Sequence, residues 1–290
     1  MAGNESDPCR DLVESDDRDR ALSLVFAPAV LRADLAALYA FNIEVARIRD
    51  QIRQPLPGEI RLQWWRDVIA GAGSAGGGDV ETEGLGGGEA GHPVASRLTE
   101  VIARHHLPVA AFDRMLEARI FDLYDDPMPS RENFEAYAGE TASTLIVLAA
   151  TILSRSDADH IADAAGHAGV AQSVAGVLRL LPIHRARGQV YLPAEILSAA
   201  GCTPAELIAG TAEPSSRAIA AMVAFGREHA EKARRHYAEL PRAVRASFLP
   251  ALLAAPYLDR IERSGAGVLQ RPVDVAAPLK AVFYWRWMRG

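Results

Sequence analysis

The spacing of apolar residues between positions 31 and 52 constrains the fold of this chain more than any other feature. Large apolar side chains recur there every three or four residues, at Leu31, Leu35, Leu38, Phe41, Val45, Ile48 and Ile52. That period is typical of one face of a long amphipathic α-helix, which Pro55, Pro57 and Gly58 are expected to end. Similar periods recur down the chain, and alternating strand patterns do not cluster anywhere. The sequence therefore predicts an all-α, single-domain helical bundle.

Length, charge and cysteine content narrow the class of protein. The 290 residues can bury one large core, and the net charge of −6 opposes binding to nucleic acid because such a surface repels phosphate. The two cysteines are Cys9, in a polar head, and Cys202. A disulfide between them is not expected, and a reducing compartment is favoured.

The chain divides into a leader, one domain and an insert. Residues 1–16 are acidic and are predicted to form a disordered leader. Residues 17–290 are predicted to form the helical domain. The Gly-rich stretch at 71–91 lacks the GK[ST] ending and the preceding strand of a phosphate-binding loop, so we predict a flexible insert.

The apolar pattern predicts a cytoplasmic location. The acidic N-terminus has no apolar core of a signal peptide, and the best apolar run, Thr144 to Leu153, is too short to span a membrane. The aromatic and basic run from Phe283 to Met288 permits peripheral contact with the inner membrane, and packing of that run onto the bundle is the alternative.

Histidines and tryptophans elsewhere have ordinary structural interpretations. His229 and His236 lie among charged residues of a predicted polar helix, so a surface position is favoured over a metal site. His105 and His106 end a predicted helix, where imidazoles cap carbonyls. Trp64 and Trp65 point to different faces of one helix, so one of them is expected in the core.

Several motifs resemble the squalene/phytoene synthase family. The segment Ala37-Leu38-Tyr39-Ala40-Phe41 is similar to part of its first metal-binding helix, and Tyr191-Leu192-Pro193 is similar to the YLP that follows its second. The resemblance runs from about Asp19 to Met288. It implies an isoprenoid-synthase-like bundle with a central cavity, in which two Asp-rich helices hold Mg²⁺ ions that neutralise substrate diphosphates.

Both metal motifs depart from that family pattern. The two leading aspartates of the first motif fall at Ala46 and Arg47, and only Asp50 is kept. The aspartates of the second motif fall at Leu180 and His184, while the neighbouring Arg179 and the later Tyr191 are retained. A cation site with so few carboxylates beside arginines is electrostatically unfavourable. We therefore expect no cofactor, and Mg²⁺ only if the chain is an active prenyltransferase.

A non-catalytic branch of the same family matches better. Ala40-Phe41-Asn42-Ile43-Glu44, Arg61-Leu62-Gln63-Trp64-Trp65 and the run from Pro182 to Pro193 resemble that branch, whose members assist assembly of respiratory complex I, the NADH:ubiquinone oxidoreductase. The resemblance implies partners among complex I subunits or assembly intermediates. Two alternatives stay open: an active head-to-head prenyltransferase with an altered metal site, and a carrier of an isoprenoid or lipid phosphate.

Guanidinium groups bind phosphate without a metal. The arginines at and beside the two altered metal motifs therefore predict a ligand site for an isoprenoid phosphate, a lipid phosphate or a quinone head. The residues predicted to line that site are Arg47, Asp50, Gln63, Trp64, Arg179, His184, Arg185, Arg187 and Tyr191. The competing interpretation is a surface ion pair between Arg47 and Asp50. No catalytic residue and no metal ligand is predicted.

Overall fold

The computed structural model describes residues 7–73 and 91–289, and within them the fold is entirely helical. This confirms the predicted fold class. The helices are α1 Pro8–Asp16, α2 Arg18–Leu24, α3 Arg32–Ala46, α4 Pro55–Gly73, α5 Pro93–His105, α6 Val109–Arg119, α7 Arg131–Ala138, α8 Thr144–Leu153, α9 Arg155–Ala158, α10 Ala162–Arg179, α11 Leu181–Ala186, α12 Ala194–Ala199, α13 Pro204–Ala209, α14 Ala212–Glu239, α15 Arg245–Leu252, α16 Ala254–Ser264 and α17 Ala277–Arg289.

Short tight turns join several of these helices. Segments of 3-10 helix cover Ala29–Leu31, Ile48–Gln51, Ile120–Leu123, Arg242–Val244 and Gly265–Leu269. One π-helical turn, Gly139–Ser143, joins α7 to α8 without a break in the helix. Such turns insert an extra residue into the helical ladder and are frequent at functional sites.

The chain forms two compact units, and each is discontinuous in sequence. The first contains residues up to Tyr124 together with Leu148–Ser156, and the second contains Asp125–Val147 together with the residues from Asp157 onward. Since each unit is built from separate stretches, no single linker cuts the chain into two continuous domains, which agrees with the single-domain prediction.

Helix α3 is the central helix of the first unit, and it is buried on nearly every side. All residues from Asp34 to Ile43 are buried. The predicted single amphipathic helix from Leu31 to Ile52 was therefore wrong in two respects. Alanines at 36, 37 and 40 let neighbouring helices approach the faces that the apolar period left out, and the α-helix ends at Ala46 before a separate 3-10 turn.

Helix α1 corrects the prediction of a disordered leader for its residues from Pro8 onward. Asp7 caps this helix by accepting hydrogen bonds from the backbone N–H groups of Cys9 and Arg10. Cys9 and Val13 are buried, and α1 packs against α3 and α5. Two apolar side chains at i and i+4 thus suffice to dock an otherwise acidic helix. The leader residues 1–6 lie outside the described part of the chain.

Helix α4 begins at the prolines that were expected to end the preceding helix, and it ends inside the predicted insert. Pro55 and Pro57 lie in its first turn, where a missing N–H costs nothing, so they begin α4 and do not terminate the preceding helix. At the other end α4 runs to Gly73, which places the first three residues of the predicted insert in a helix. The remainder of the insert, residues 74–90, lies outside the described residues.

The second unit is built on the packing of α10 along α14. Both helices carry glycines at their contacts. A side chain at Gly226 of α14 would meet Val174 of α10, and one at Gly169 of α10 would meet Ser143 in the π-helical turn. Small residues at these positions let the backbones of α10, α14 and the π-helical turn approach closely.

The continuous helix formed by α7, the π-helical turn and α8 is long and apolar enough to cross a membrane. It has 23 residues, from Arg131 to Leu153, so the prediction that no segment reaches that length was wrong. The π-helical turn joins two segments that the sequence pattern had separated. Half of its most apolar window is buried within the protein, as in a core helix, so this feature alone does not assign it to a membrane.

Candidate functional site

The first of the two altered metal motifs lies at the end of α3, where Arg47 is the C-terminal cap. The guanidinium of Arg47 forms an ion pair with Asp16 at the end of α1, within the first unit. Asp50 lies on the following 3-10 turn and is exposed. Arg47 therefore pairs with a carboxylate from the segment predicted to be disordered.

The two tryptophans of the α4 motif confirm the prediction that one of them lies in the core, and the other is half-buried. Trp65 is buried and its ring meets that of Phe41 at 5.1 Å, in an edge-to-face arrangement. Trp64 is half-buried against Trp65 and His92, with ring centroids 4.9 and 5.4 Å away. Gln63 is exposed and donates a hydrogen bond to Asp67. Of the predicted ligand residues on α4, Trp64 presents the larger apolar surface.

The second metal motif lies at the junction between α10 and α11, in the second unit. Leu180 is the residue between the two helices and is 43% exposed, while His184 lies within α11. Pro182 opens α11, since proline suits the first turn of a helix. Residues four apart on one helix share a face, but positions 180 and 184 do not belong to one uninterrupted helix.

Arg179 and Arg185 serve the packing of the second unit. The Arg179 guanidinium lies 3.7 Å above the ring of Tyr257 and its Nε donates to the Val273 carbonyl. Arg185 donates from Nε to the Ile208 carbonyl at 3.0 Å and from Nη1 to the carbonyl of Leu269. These contacts explain two arginines that the sequence assigned to ligand binding, and the ligand role of both stays a prediction.

The remaining predicted residues form a small aromatic and cationic group around α11. The rings of His184 and Tyr191 lie 4.6 Å apart, and both side chains are half-buried. Arg187 caps the C-terminus of α11 and is exposed. The group has the composition of a site for an anionic or π-rich ligand, since it combines a guanidinium, an imidazole and a phenol.

The residues at the family's cation positions do not fit Mg²⁺. This ion requires oxygen ligands. Ala46 and Leu180 carry no donor atom, Arg47 is a cation with Asp16 as its partner, and His184 offers nitrogen. Within residues 7–73 and 91–289, no group of three or more histidine, cysteine or acidic side chains is arranged to hold a metal. No chemical step is therefore assigned to a metal ion.

A histidine cluster in the second unit escaped the sequence analysis, which had placed His229 and His236 on the surface. His229 of α14 is buried, and its Nδ1 lies 3.1 Å from Nδ1 of His167 on α10. The ring of His236 stacks on His167, with centroids 5.9 Å apart. The Nε2 atom of His229 lies 3.3 Å from Glu135 of α7. A neutral His229 that donates to Glu135 from Nε2 accepts the Nδ1 proton of His167.

This cluster is expected to make stability depend on pH. Burial lowers the pKa of His229 in spite of Glu135, and burial together with His229 lowers the pKa of His167. The unfolded chain then binds more protons than the folded chain below the ordinary histidine pKa of about 6.5. The stabilisation is complete above that pH and is lost as the pH falls toward the folded-state values. Each proton contributes at most about 1.4 kcal/mol per pH unit.

Melting curves between pH 8 and pH 5 check the pH prediction, with H167N/H229Q as the test variant. Glu135, Glu228, Lys232, Asp163 and His236 interact electrostatically with the pair and stay in place in this variant. We expect the wild type to lose more stability than the variant below pH 6.5. Parallel curves for the two proteins would show that the cluster titrates normally.

Two surface grooves lie in the second unit, and neither contains a predicted ligand residue. One of about 350 Å³ is lined by residues of α16 and α17, and one of about 730 Å³ by α16 and the loop that follows it. The central cavity implied by the family resemblance stays a prediction.

Comparisons with known proteins agree with this geometry. The squalene/phytoene synthase family model matches residues 13–278. NADH dehydrogenase (ubiquinone) complex I, assembly factor 6, from Rattus norvegicus is 28% identical over 88% of this chain and 73% of its own length. Phytoene synthase 2, chloroplastic, from Solanum lycopersicum is 25% identical over 63% of this chain and 61% of its own.

Solved structures show the same fold. A dehydrosqualene synthase superposes with a TM-score of 0.77 at 15% identity, covering 97% of this chain and 94% of that one. The squalene synthase HpnC from Alicyclobacillus acidocaldarius gives a TM-score of 0.71 at 22% identity, covering 91% and 94%. The family match spans most of the chain, including both altered metal motifs. This chain therefore belongs to the squalene/phytoene synthase family.

Proposed function

We propose that this chain is a non-catalytic member of its family that acts as an assembly factor for respiratory complex I. The observation that carries the proposal is the joint replacement of the cation ligands, at Ala46 and Arg47 in one motif and at Leu180 and His184 in the other, within a fold that is otherwise kept. Loss at both motifs removes the charge that would bind Mg²⁺ and stabilise a leaving diphosphate.

The similarity to relatives named as complex I assembly factors gives the proposal its specific role. The relative from Homo sapiens is 27% identical over 88% of this chain, so the likeness extends across nearly all the helices. By this proposal the partners are complex I subunits or assembly intermediates. The place of action is then the cytoplasmic face of the inner membrane, where a respiratory complex is assembled.

A ligand in the emptied site is part of the proposal. The group of His184, Tyr191 and exposed Arg187 supports an anionic or π-rich ligand, such as an isoprenoid phosphate, a lipid phosphate or a quinone head. Arg179 and Arg185 already bind backbone carbonyls, so we expect them to shape the site and Arg187 to contact an anion. Binding would be metal-independent, since guanidinium pairs with phosphate directly.

The competing function is head-to-head coupling of two prenyl diphosphates, which the likeness to the tomato phytoene synthase favours. We expect no diphosphate release when the purified protein is incubated with farnesyl or geranylgeranyl diphosphate and Mg²⁺, because Asp50 is the one carboxylate of the two motifs that is kept. Release at an enzyme-like rate would establish the prenyltransferase and overturn the proposal.

Calorimetry with the same compounds, with and without Mg²⁺, separates the remaining alternatives. Binding that does not depend on Mg²⁺, without turnover, supports a ligand-holding protein. Binding that requires Mg²⁺ contradicts the direct arginine–phosphate contact. The assembly role itself is tested by deleting the gene and measuring complex I activity in membranes.

A further inference from the structure

The C-terminal helix α17 has two faces of opposite character. One face is packed: Lys280 and Tyr284 are buried, and the ring of Trp287 meets that of Tyr237 at 5.0 Å. The other face carries three large apolar side chains in solvent, with exposed fractions of 55% for Leu279, 56% for Val282 and 50% for Trp285. At 100° per residue these three lie within one arc of the helix, opposite the packed side chains.

Basic residues surround this apolar stripe. Arg286 and Arg289 lie on the same exposed side of α17, and Arg289 is stacked on Trp285 at 4.4 Å. Arg260, Arg263 and Arg271 come from α16 and the loop after it; the first two line both grooves, and Arg271 lines the larger one. The smaller groove lies between α16 and α17, because Arg260 and Arg263 of α16 line it together with Leu279 and Phe283 of α17.

The acidic residues of the same region are already neutralised. Asp259 and Glu262 both bind Arg227 at 2.7 Å, and Asp274 binds Lys280 at 2.8 Å and Arg179 at 3.5 Å, so three cations offset three carboxylates. Across the described ranges 7–73 and 91–289, no carboxylate pairs with any of the five basic residues Arg260, Arg263, Arg271, Arg286 and Arg289. A chain with a net charge of −6 thus concentrates uncompensated positive charge beside the exposed apolar stripe of α17.

We propose that this surface, defined by Leu279, Val282, Trp285 and the five arginines, docks on a membrane that contains anionic phospholipids. The apolar stripe would enter the boundary between headgroups and acyl chains, with Trp285 at headgroup level, and the arginines would pair with lipid phosphates. The inference deepens the proposed function, because an assembly factor for a membrane enzyme must reach its partners at the membrane surface.

The charges of this surface favour an anionic membrane over a second copy of the chain and over a protein partner. A second copy of the chain would bring the same five arginines against each other, which is repulsive. A protein partner would have to present acidic groups around an apolar groove, whereas an anionic bilayer supplies both features at once. The net negative charge of the rest of the chain would favour the orientation in which this basic surface faces an anionic membrane.

Flotation with lipid vesicles tests the docking surface. The full-length protein is mixed with vesicles of phosphatidylcholine alone, or of phosphatidylcholine with about one-third phosphatidylglycerol. We expect binding to the anionic vesicles that weakens as salt is raised. L279S/V282S/W285S should lower the partition coefficient about ten- to hundredfold, since it removes the buried apolar area. R263Q/R271Q should lower binding to anionic vesicles only.

The matched control is V25S/V30S, which removes two exposed apolar side chains from the first unit, where they are 60% and 85% exposed. It should bind like the wild type. Equal binding by all variants, or no wild-type binding to anionic vesicles, would overturn the proposal. So would a dimer that the triple variant dissociates while vesicle binding is unchanged. Because the assay contains no complex I, its failure is distinguishable from failure of the assembly role.

Discussion

Alanine at Gly169 is expected to lower the melting temperature by about 5–10 °C, which corresponds to a loss of about 3 kcal/mol. Gly169 is buried on α10 where this helix passes the π-helical turn Gly139–Ser143. A Cβ atom there would lie 2.1 Å from Oγ of Ser143, 2.5 Å from its backbone N and 2.8 Å from its Cα. The Oγ atom can rotate away, but the backbone atoms cannot.

The expected cost is large because the contact lies inside the second unit's core. To accept the methyl group, α10 must move away from the π-helical turn, and α10 also packs against α14 and α16. The hydrogen bond from Ser143 Oγ to the Gly166 carbonyl, 3.3 Å long, would be disturbed as well. A loss of this size is a substantial part of the roughly 5–15 kcal/mol by which domains are stable.

Gly176 on the same helix provides the matched control, since a Cβ there meets nothing within 4 Å. G176A should be neutral or stabilising by up to about 1 kcal/mol, because alanine is the better helix former. Scanning calorimetry and thermal unfolding followed by circular dichroism measure both variants. Equal melting temperatures for G169A and G176A would contradict the described contact between α10 and the π-helical turn.

The fold class was predictable because apolar periodicity reports burial directly. This signal predicts helices at 213–240 and 278–288, within one residue of α14, Ala212–Glu239, and α17, Ala277–Arg289. Helix boundaries near prolines were not predictable in this way. Pro55 and Pro182 both open helices, since proline is compatible with the first turn of a helix as well as with its end.

The predictions of burial and of helices failed most clearly where packing depends on small residues. Alanines carry little weight in an apolar pattern, yet they bury the sides of α3 that the large residues leave out. Helix α1 was missed because only Cys9 and Val13 anchor it among charged residues. The decisive contacts are made with distant segments, so no local pattern could reveal them.

In the candidate site, too, the identity of each residue was predictable and its contacts were not. The sequence showed that the cation ligands are missing, since this depends only on which residue occupies a position. It could not show that Arg185 would bind the carbonyls of Ile208, in α13, and Leu269, in the last 3-10 segment, because both lie far along the chain. The cluster of His167 and His229 was hidden for the same reason, because their 62-residue separation is closed only by the packing of α10 on α14.

Deletion of the gene is expected to reduce NADH:ubiquinone oxidoreductase activity in membranes to a small fraction of the wild-type level. The proposed role is to bring complex I subunits together, so its loss should lower the amount of assembled complex and not the activity of each assembled copy. Native gel electrophoresis of the membranes should therefore show subcomplexes in place of the mature enzyme.

Two controls separate this result from a general defect. Succinate:ubiquinone oxidoreductase activity should be unchanged, because that enzyme does not require complex I. Re-expression of the wild-type chain should restore the lost activity.

The measurement that tests the account most directly compares complex I activity and prenyl products in the same deletion strain. The account predicts that NADH:ubiquinone oxidoreductase activity is lost while squalene and carotenoid levels stay at their wild-type values, since the fold is kept without its cation ligands. Normal complex I activity together with depleted squalene or carotenoids would contradict it, and would identify an active prenyltransferase instead.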